Sequence, residues 1–448
     1  MASKATNQAS IDADRAHVFH SWSAQREVVP HPIAGGRGAV FWDNEGNRFV
    51  DFGSQLVNLN LGHQHPAVVE AIVKQARTLS TVAPAFANDT RSEAARLIAG
   101  CAPPGLDRVF FTNGGAEANE NALRLARQHT GRHKILAAYR SYHGATAAAI
   151  ALTGEARRWG SEPGIPSVVH FFGPYLYRSS FAAQSASEEA FRSLEHLQEV
   201  VAMEGPDQIA AVILETIVGT NGVLIPPHGY LEGVRDLCDN HGILLIADEV
   251  MVGFGRTGAW FAVEHWGVTP DLITFAKGVN SGYVPLGGVI MGEGVASTFD
   301  YRPYPGGLTY SGHPLACAAS IAAIAATRDE GLIDRAAQIG AEVLGPALDD
   351  MKERHRSIGE VRGKGCLFAV ELVKDRETKE LLIPFAPNSQ QARPMTELAA
   401  QIKSQGVWPL IHGNRIHIAP PLVITDDELL EGIDVIDKAL AIADAYAA

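Results

Sequence analysis

The chain has 448 residues, 46% of them apolar and 19% charged, with a formal net charge of −13. That composition describes a soluble globular protein, too long for a single core, and not a disordered one. An acidic balance without a long run of Lys or Arg gives no general attraction to nucleic acid or anionic membrane. No stretch reaches the roughly 20 apolar residues of a membrane span, and the polar start shows no secretory signal. Cys101, Cys238, Cys317 and Cys366 lie far apart and form no metal-ligand or redox pair. Free thiols of this kind suit a reducing, cytoplasmic setting.

Residues 1–35 read as an N-terminal arm with some helix. Residues 39–52 read as strand, turn, strand, with the turn chemistry in Asn44 to Asn47. From about residue 66, helical patterns alternate with short apolar runs at Arg108–Thr112, Lys134–Tyr139, Ile209–Glu215, Ile243–Asp248, Asp271–Ala276 and Gly287–Met291. Apolar strands alternating with helices imply an α/β unit with a mainly parallel sheet covered on both faces. Beyond about residue 325 the pattern changes. Leu332, Ala336, Ile339, Val343, Ala347 and Met351 recur at helical spacing, with Pro346 expected to kink or restart the helix. Residues 359–372 and 414–419 read as strands and 426–443 as a closing helix, which makes a smaller α+β unit. The expected divisions are residues 1–65 (arm and part of the small unit), 66–325 (large unit) and 326–448 (small unit).

Four places carry chemistry. In Phe110 to Asn119 a strand runs through Gly114 and Gly115 into a helix, and such a helix N-terminus offers free N–H groups to an anion; the plainer alternative is an ordinary strand–helix turn. Tyr142-His143-Gly144 follows the next apolar run, and an aromatic there can stack on a flat ring or simply pack in the core. Asp248-Glu249-Val250 ends another run in two carboxylates. A Walker-type magnesium site would need a glycine loop ending in Lys-Ser or Lys-Thr, and the chain has none. Lys277-Gly278 ends the next run, roughly 30 residues on, about one strand–crossover–strand unit. An amine and an acid at the ends of neighbouring strands suit pyridoxal phosphate, which needs a lysine for its Schiff base and an acid at its pyridine nitrogen. Asp248 would keep that nitrogen protonated, and Val250 would pack beneath the ring if the strand continued. Lys277 would need to lose its charge, which burial and nearby cations favour, and once freed could shuttle a proton.

Together these segments, with Leu308 to Pro314, agree in order and spacing with the class III aminotransferases. The chain therefore resembles the ω-transaminase group of pyridoxal-phosphate fold type I enzymes over roughly residues 15–445. The resemblance implies a seven-stranded, mainly parallel sheet in the large domain and a small domain formed by both chain ends. It implies that Lys277 carries the cofactor, Asp248 pairs with the ring nitrogen and Tyr142 stacks on the ring. It further implies that the Gly115 and Ala116 backbone holds the phosphate, with His143 and Glu215 nearby. Thr309 would reach the cofactor phosphate of a neighbouring subunit, so the site is completed in a homodimer or a dimer of dimers. Many members have serine where this chain has Ala116. Ornithine-type members have a glutamate where Thr220 stands, and an arginine where His417 stands, three residues before Pro420-Pro421. Arg415, two residues earlier, is the candidate carboxylate clamp here. Trp22, Leu56, Val57 and Phe86 stand at family substrate-wall positions, apolar enough for an alkyl chain, though each could equally pack the arm onto the core.

The expected activity is transfer of an amino group from an ω-amino acid, taurine or a simple amine to pyruvate or 2-oxoglutarate by a ping-pong mechanism. The alternatives are a class III aminomutase, racemase or decarboxylase, or a non-catalytic binding protein on the same fold. The expected partners are an amine donor and a keto-acid acceptor, with no nucleic acid, membrane or metal.

Overall fold

The structure, a computed structural model, describes residues 7–448. The first six residues of the expected arm lie outside them. Seven strands form the central sheet: β1 (Leu106–Thr112), β2 (Lys134–Ala138), β3 (Val168–Phe171), β4 (Ile209–Glu215), β5 (Leu244–Asp248), β6 (Leu272–Phe275) and β7 (Gly287–Gly292). Their spatial order is β1-β7-β6-β5-β4-β2-β3. Six run parallel and β7 runs antiparallel to both its neighbours. The inner strands are apolar throughout because helices cover both faces; Ile209 to Leu214 are all buried. Six strands match the apolar runs of the sequence. β3 was not among them; Val168-Val169-His170-Phe171 is short and lies at the sheet edge.

Both chain ends build the rest. Residues 33–37, 40–43 and 48–51 pair as an antiparallel set, and Val407–Trp408 adds to it in parallel at Val50 and Asp51. Val50, Phe52 and Leu61 share one apolar core with Leu348, Met351, Ile358, Ile416 and Ile433. The tight turn after residue 43 is organised by Asp43, whose carboxylate accepts the N–H groups of Glu45 and Asn47, each at 2.9 Å. Residues 359–372 form two strands, Ile358–Lys364 and Leu367–Asp375, paired antiparallel across a turn at Gly365-Cys366. Pro346 falls where a wide π-helical turn over Ile339–Leu344 passes into the helix Gly345–Arg354, so the helix continues through it.

Two buried charges join these parts. Arg256, among the largest fully buried side chains, donates to the carbonyls of Cys366 (3.1 Å) and Pro420 (2.6 Å) and to Ser54 Oγ (3.2 Å) and Asn60 Oδ1 (2.7 Å). Glu371 accepts from Tyr175 (2.5 Å), Arg178 (2.6 Å) and Arg362 (2.6 Å). Burial would raise the Glu371 carboxyl, but Arg362, Arg415 and the tyrosine more than reverse this and hold it down at about 2. A carboxyl lowered in the fold stabilises it above the unfolded pKa, and that stability is lost as pH falls from about 4.5 toward 2. Glu371→Gln should therefore cost about 3–5 kcal/mol at neutral pH, because it leaves buried guanidiniums unpaired. The cost should shrink in acid, as checked by denaturant unfolding at pH 7 and pH 3. An equal loss at both pH values would refute the linkage.

Candidate active site

The carboxyl ends of the parallel strands converge on a cavity of about 430 Å³. Ligand sites in open α/β sheets lie at this edge. Gly114, Gly115 and Ala116 follow β1, Tyr142, His143 and Gly144 follow β2, Glu215 ends β4, Asp248 ends β5, and Lys277 follows β6; all of them line the cavity. Leu56, Val250, Asn119, Asn58, Thr220 and Met251 complete much of its wall.

Asp248 is held from three directions. Its Oδ2 lies 2.7 Å from His143 Nδ1 and accepts from Asn119 Nδ2 at 2.8 Å, while Oδ1 accepts the Val250 N–H at 3.0 Å. Asn119 also donates to the His143 carbonyl at 2.7 Å, tying the helix Gly115–Thr130 (α1) to the segment after β2. A buried carboxylate so supported is fixed in place and directed at the cavity. β5 ends at Asp248, so Val250 reaches the cavity by a turn rather than by strand alternation.

Lys277 is partly exposed along the cavity and has a left-handed backbone, φ +44°. A non-glycine residue held there stores strain at the place where its side chain is aimed. Burial lowers the Lys277 amine; Glu215 and Asp248 oppose that, and Arg157 and Arg256 reinforce it. Burial likewise pushes the Glu215 carboxyl up. Glu215 accepts the N–H groups of Tyr142 (2.7 Å) and Gly219 (2.8 Å).

The N-terminus of α1 forms a close cradle. A side chain at Gly115 would put its Cβ 2.7 Å from Val250 Cγ1, and one at Gly144, where φ is +133°, would come within 2.5 Å of Ala116 Cβ. Only glycine lets the backbone approach this part of the cavity. His143 Nε2 is buried without a hydrogen-bond partner. A phosphate on the open N–H groups of α1 and a flat ring reaching Asp248 fit this set of groups.

Other expected residues fall elsewhere. Val57 does not line the cavity: it is 2% exposed and sits in the apolar cluster that holds Leu214 and Ile217. Ser54, Gln55 and Val57 all have left-handed backbones, which breaks simple alternation and sends Leu56 outward and Val57 inward. Trp22, 66% exposed, reaches the Tyr142 hydroxyl with its indole. Phe86, 63% exposed, and Thr309, exposed in a turn, do not line the cavity of their own chain. Arg415 lines a neighbouring cavity of about 580 Å³ and stands 3.7 Å from Glu371. His417 is buried and pushed down to about 3 by burial, which makes it a neutral core residue. Asn119 and Arg157, neither given a role from sequence, are part of the site. Asn119 sits one helical turn beyond Gly115, the spacing that turns it toward the strand ends. Among the described residues no cluster could hold a metal ion, and no helix is long and apolar enough to cross a membrane.

A family model, aminotransferase class-III, matches residues 22–440. Taurine–pyruvate aminotransferase of Rhodobacter capsulatus is 37% identical to the chain, covering 96% of each sequence. Acetylornithine aminotransferase of Methanopyrus kandleri is 38% identical, covering 94% of this chain and 95% of that protein. The crystal structure of taurine:2-oxoglutarate aminotransferase from Bifidobacterium kashiwanohense, in complex with PLP and glutamate, superposes with a TM-score of 0.95 at 41% identity over 99% of both chains.

Proposed function

The chain belongs to the class III aminotransferases, which are pyridoxal-phosphate-dependent transaminases, and from that premise we propose that it takes its amino group from taurine, an ω-amino acid or a similar small terminal amine and passes it to pyruvate or 2-oxoglutarate. The observation that carries this reading is the convergence of Lys277, Asp248 and Tyr142 on one cavity beside the open N-terminus of α1. Thr220, in place of the glutamate of ornithine-type relatives, leaves the wall near Glu215 neutral. That favours a plain amine over a substrate with a second charged amine.

Bound pyridoxal phosphate supplies an aldehyde that takes up the amine and a ring that withdraws electrons from the adjacent carbon. The residues fit the group as follows. The Gly115 and Ala116 backbone would hold the phosphate at the positive end of α1. Asp248, its carboxylate fixed by His143 and Asn119, would keep the ring nitrogen protonated. Tyr142 and Val250 would pack against the ring, and Glu215 would lie near its hydroxyl. Lys277 would supply the amine for the Schiff base. Because burial disfavours its charged form, its freed amine can accept a proton from the substrate carbon and return it. Thr309, exposed near residue 310, would reach the cofactor phosphate of a second copy, which makes the working unit a homodimer.

A donor panel of taurine, β-alanine, 4-aminobutyrate, ornithine and n-propylamine, each with pyruvate and with 2-oxoglutarate, tests the reading. We expect turnover with small ω-acid amines, parallel double-reciprocal lines, and a stall after one turnover without acceptor. Continued product formation without acceptor would instead identify a mutase, racemase or decarboxylase. A protein that takes up the cofactor and turns over no amine would be a binding protein.

A further inference from the structure

We propose that a second cavity, between the hairpin turn at Lys364 and the Pro226-Pro227 segment, binds a small aromatic carboxylate, with the Lys364 ammonium and the Trp266 indole N–H as its polar anchors.

This cavity has a volume of about 320 Å³, room for a molecule of one or two rings. It shares no lining residue with the Lys277 cavity or with the 580 Å³ cavity beside it. Its walls come from two parts of the chain. Pro226, Pro227 and Trp266 belong to the segments that cover the central sheet, and Lys364 ends the first strand of the hairpin Ile358–Lys364 and Leu367–Asp375. The hairpin tip is tied in place there. The Cys366 N–H donates to the Arg256 carbonyl at 3.0 Å, and His265 Nε2 lies 3.1 Å from Thr257 Oγ1, one residue further on.

Two donors at this cavity are left without acceptors. Trp266 is 8% exposed, and its Nε1 is buried with no hydrogen-bond partner among the described residues. An indole N–H can only donate, and a buried one normally finds an acceptor. The Lys364 ammonium makes no ion pair or hydrogen bond among the described residues, whereas Lys374 and Lys438 pair with Glu380 and Asp434. No Asp or Glu lines the cavity, although the chain carries a net charge of −13. His265, also on the wall, is pushed down to about 4, first by burial and then by Lys364, so it adds a neutral ring. His228 at the rim is exposed and stands 3.8 Å from Glu232.

The rest of the wall selects the body of the ligand. Pro174, Ile225, Pro226 and Pro227 are apolar, and the Trp266 ring meets the His265 ring edge-on at 6.0 Å. Rigid proline and aromatic surfaces suit a flat ring. One free cation and one neutral donor match the oxygens of a single carboxylate. A phosphate-rich ligand would need more cations, and an amine would meet Lys364 with like charge.

The test titrates the holoenzyme with 2-naphthoate by calorimetry, beside its Lys364→Met and Trp266→Phe variants. Lys364→Met keeps the apolar stem and removes the charge; because the ammonium has no partner, the variant should melt like the parent. We expect saturable binding at one site per chain, weakened at least about tenfold by Lys364→Met and several-fold by Trp266→Phe. The neutral 2-naphthamide should bind the parent about tenfold more weakly than the acid. A second measurement reads the indole directly: the Trp266 N–H resonance, identified by its loss in Trp266→Phe, should shift when 2-naphthoate is added to the parent. No saturable binding, equal affinity in parent and Lys364→Met, a stationary Trp266 resonance, or equal binding of acid and amide would each overturn the proposal. A naphthoate that sits instead in the Lys277 cavity would ignore Lys364→Met, and that outcome also counts against the site.

Discussion

Lys277→Ala is expected to abolish transamination, to below about 10⁻⁴ of the parent rate, because it removes both the covalent anchor and the proton carrier from one site. The variant should still fold. The lysine is a partly buried amine whose charged form is disfavoured, so its loss takes little stability with it. Cofactor added to the variant should lack the yellow absorbance of a lysine-bound aldehyde, and adding a primary amine in solution should restore colour. Two measurements decide it: the steady-state rate and the visible spectrum. Normal turnover, or an unaltered spectrum, would remove Lys277 from the mechanism and with it the site as drawn.

Asp248→Asn carries the second largest expected effect. The substitution keeps size and shape but removes the negative charge that would keep the ring nitrogen protonated. It also places an amide opposite the donors of His143 and Asn119, which approach Asp248 Oδ2 at 2.7 and 2.8 Å. We expect proton transfer to slow by about 10²–10⁴, the range for a lost acid–base contribution. Stopped-flow single turnovers with one amine donor isolate that step from acceptor binding. Cofactor affinity should fall far less, since the α1 cradle and Tyr142 are untouched. A single-turnover rate equal to the parent's would separate Asp248 from the ring nitrogen.

The large sheet, and the placing of Asp248 and Lys277 on one cavity, were legible in the sequence because both rest on local signals. A fully buried parallel strand is apolar, so Asp248 stands out as the end of Leu244–Asp248 and Lys277 just past Leu272–Phe275. The strand Val168–Phe171 escaped notice because an edge strand of four residues, one of them His, carries almost no periodic signal. The hairpin at Gly365 went unread within residues 359–372, although Gly363-Lys364-Gly365 is a turn signal. Val57 was expected on the wall from the resemblance alone; with left-handed backbone at Ser54, Gln55 and Val57, the chain turns Leu56 to the cavity and Val57 into the core.

Arg256 has a consequence for how small molecules get in. One cation is bound simultaneously to the segment near residues 54–60 and to the carbonyls of Cys366 and Pro420, from a loop that begins just past Asp248. Swinging the two halves of the chain apart would break those bonds together and strand a guanidinium in an apolar interior. Arg256 therefore opposes a clamshell opening of these two parts. Exchange of small molecules should then depend more on side chains that border the cavity, such as the half-exposed Leu56, than on separation of the two parts.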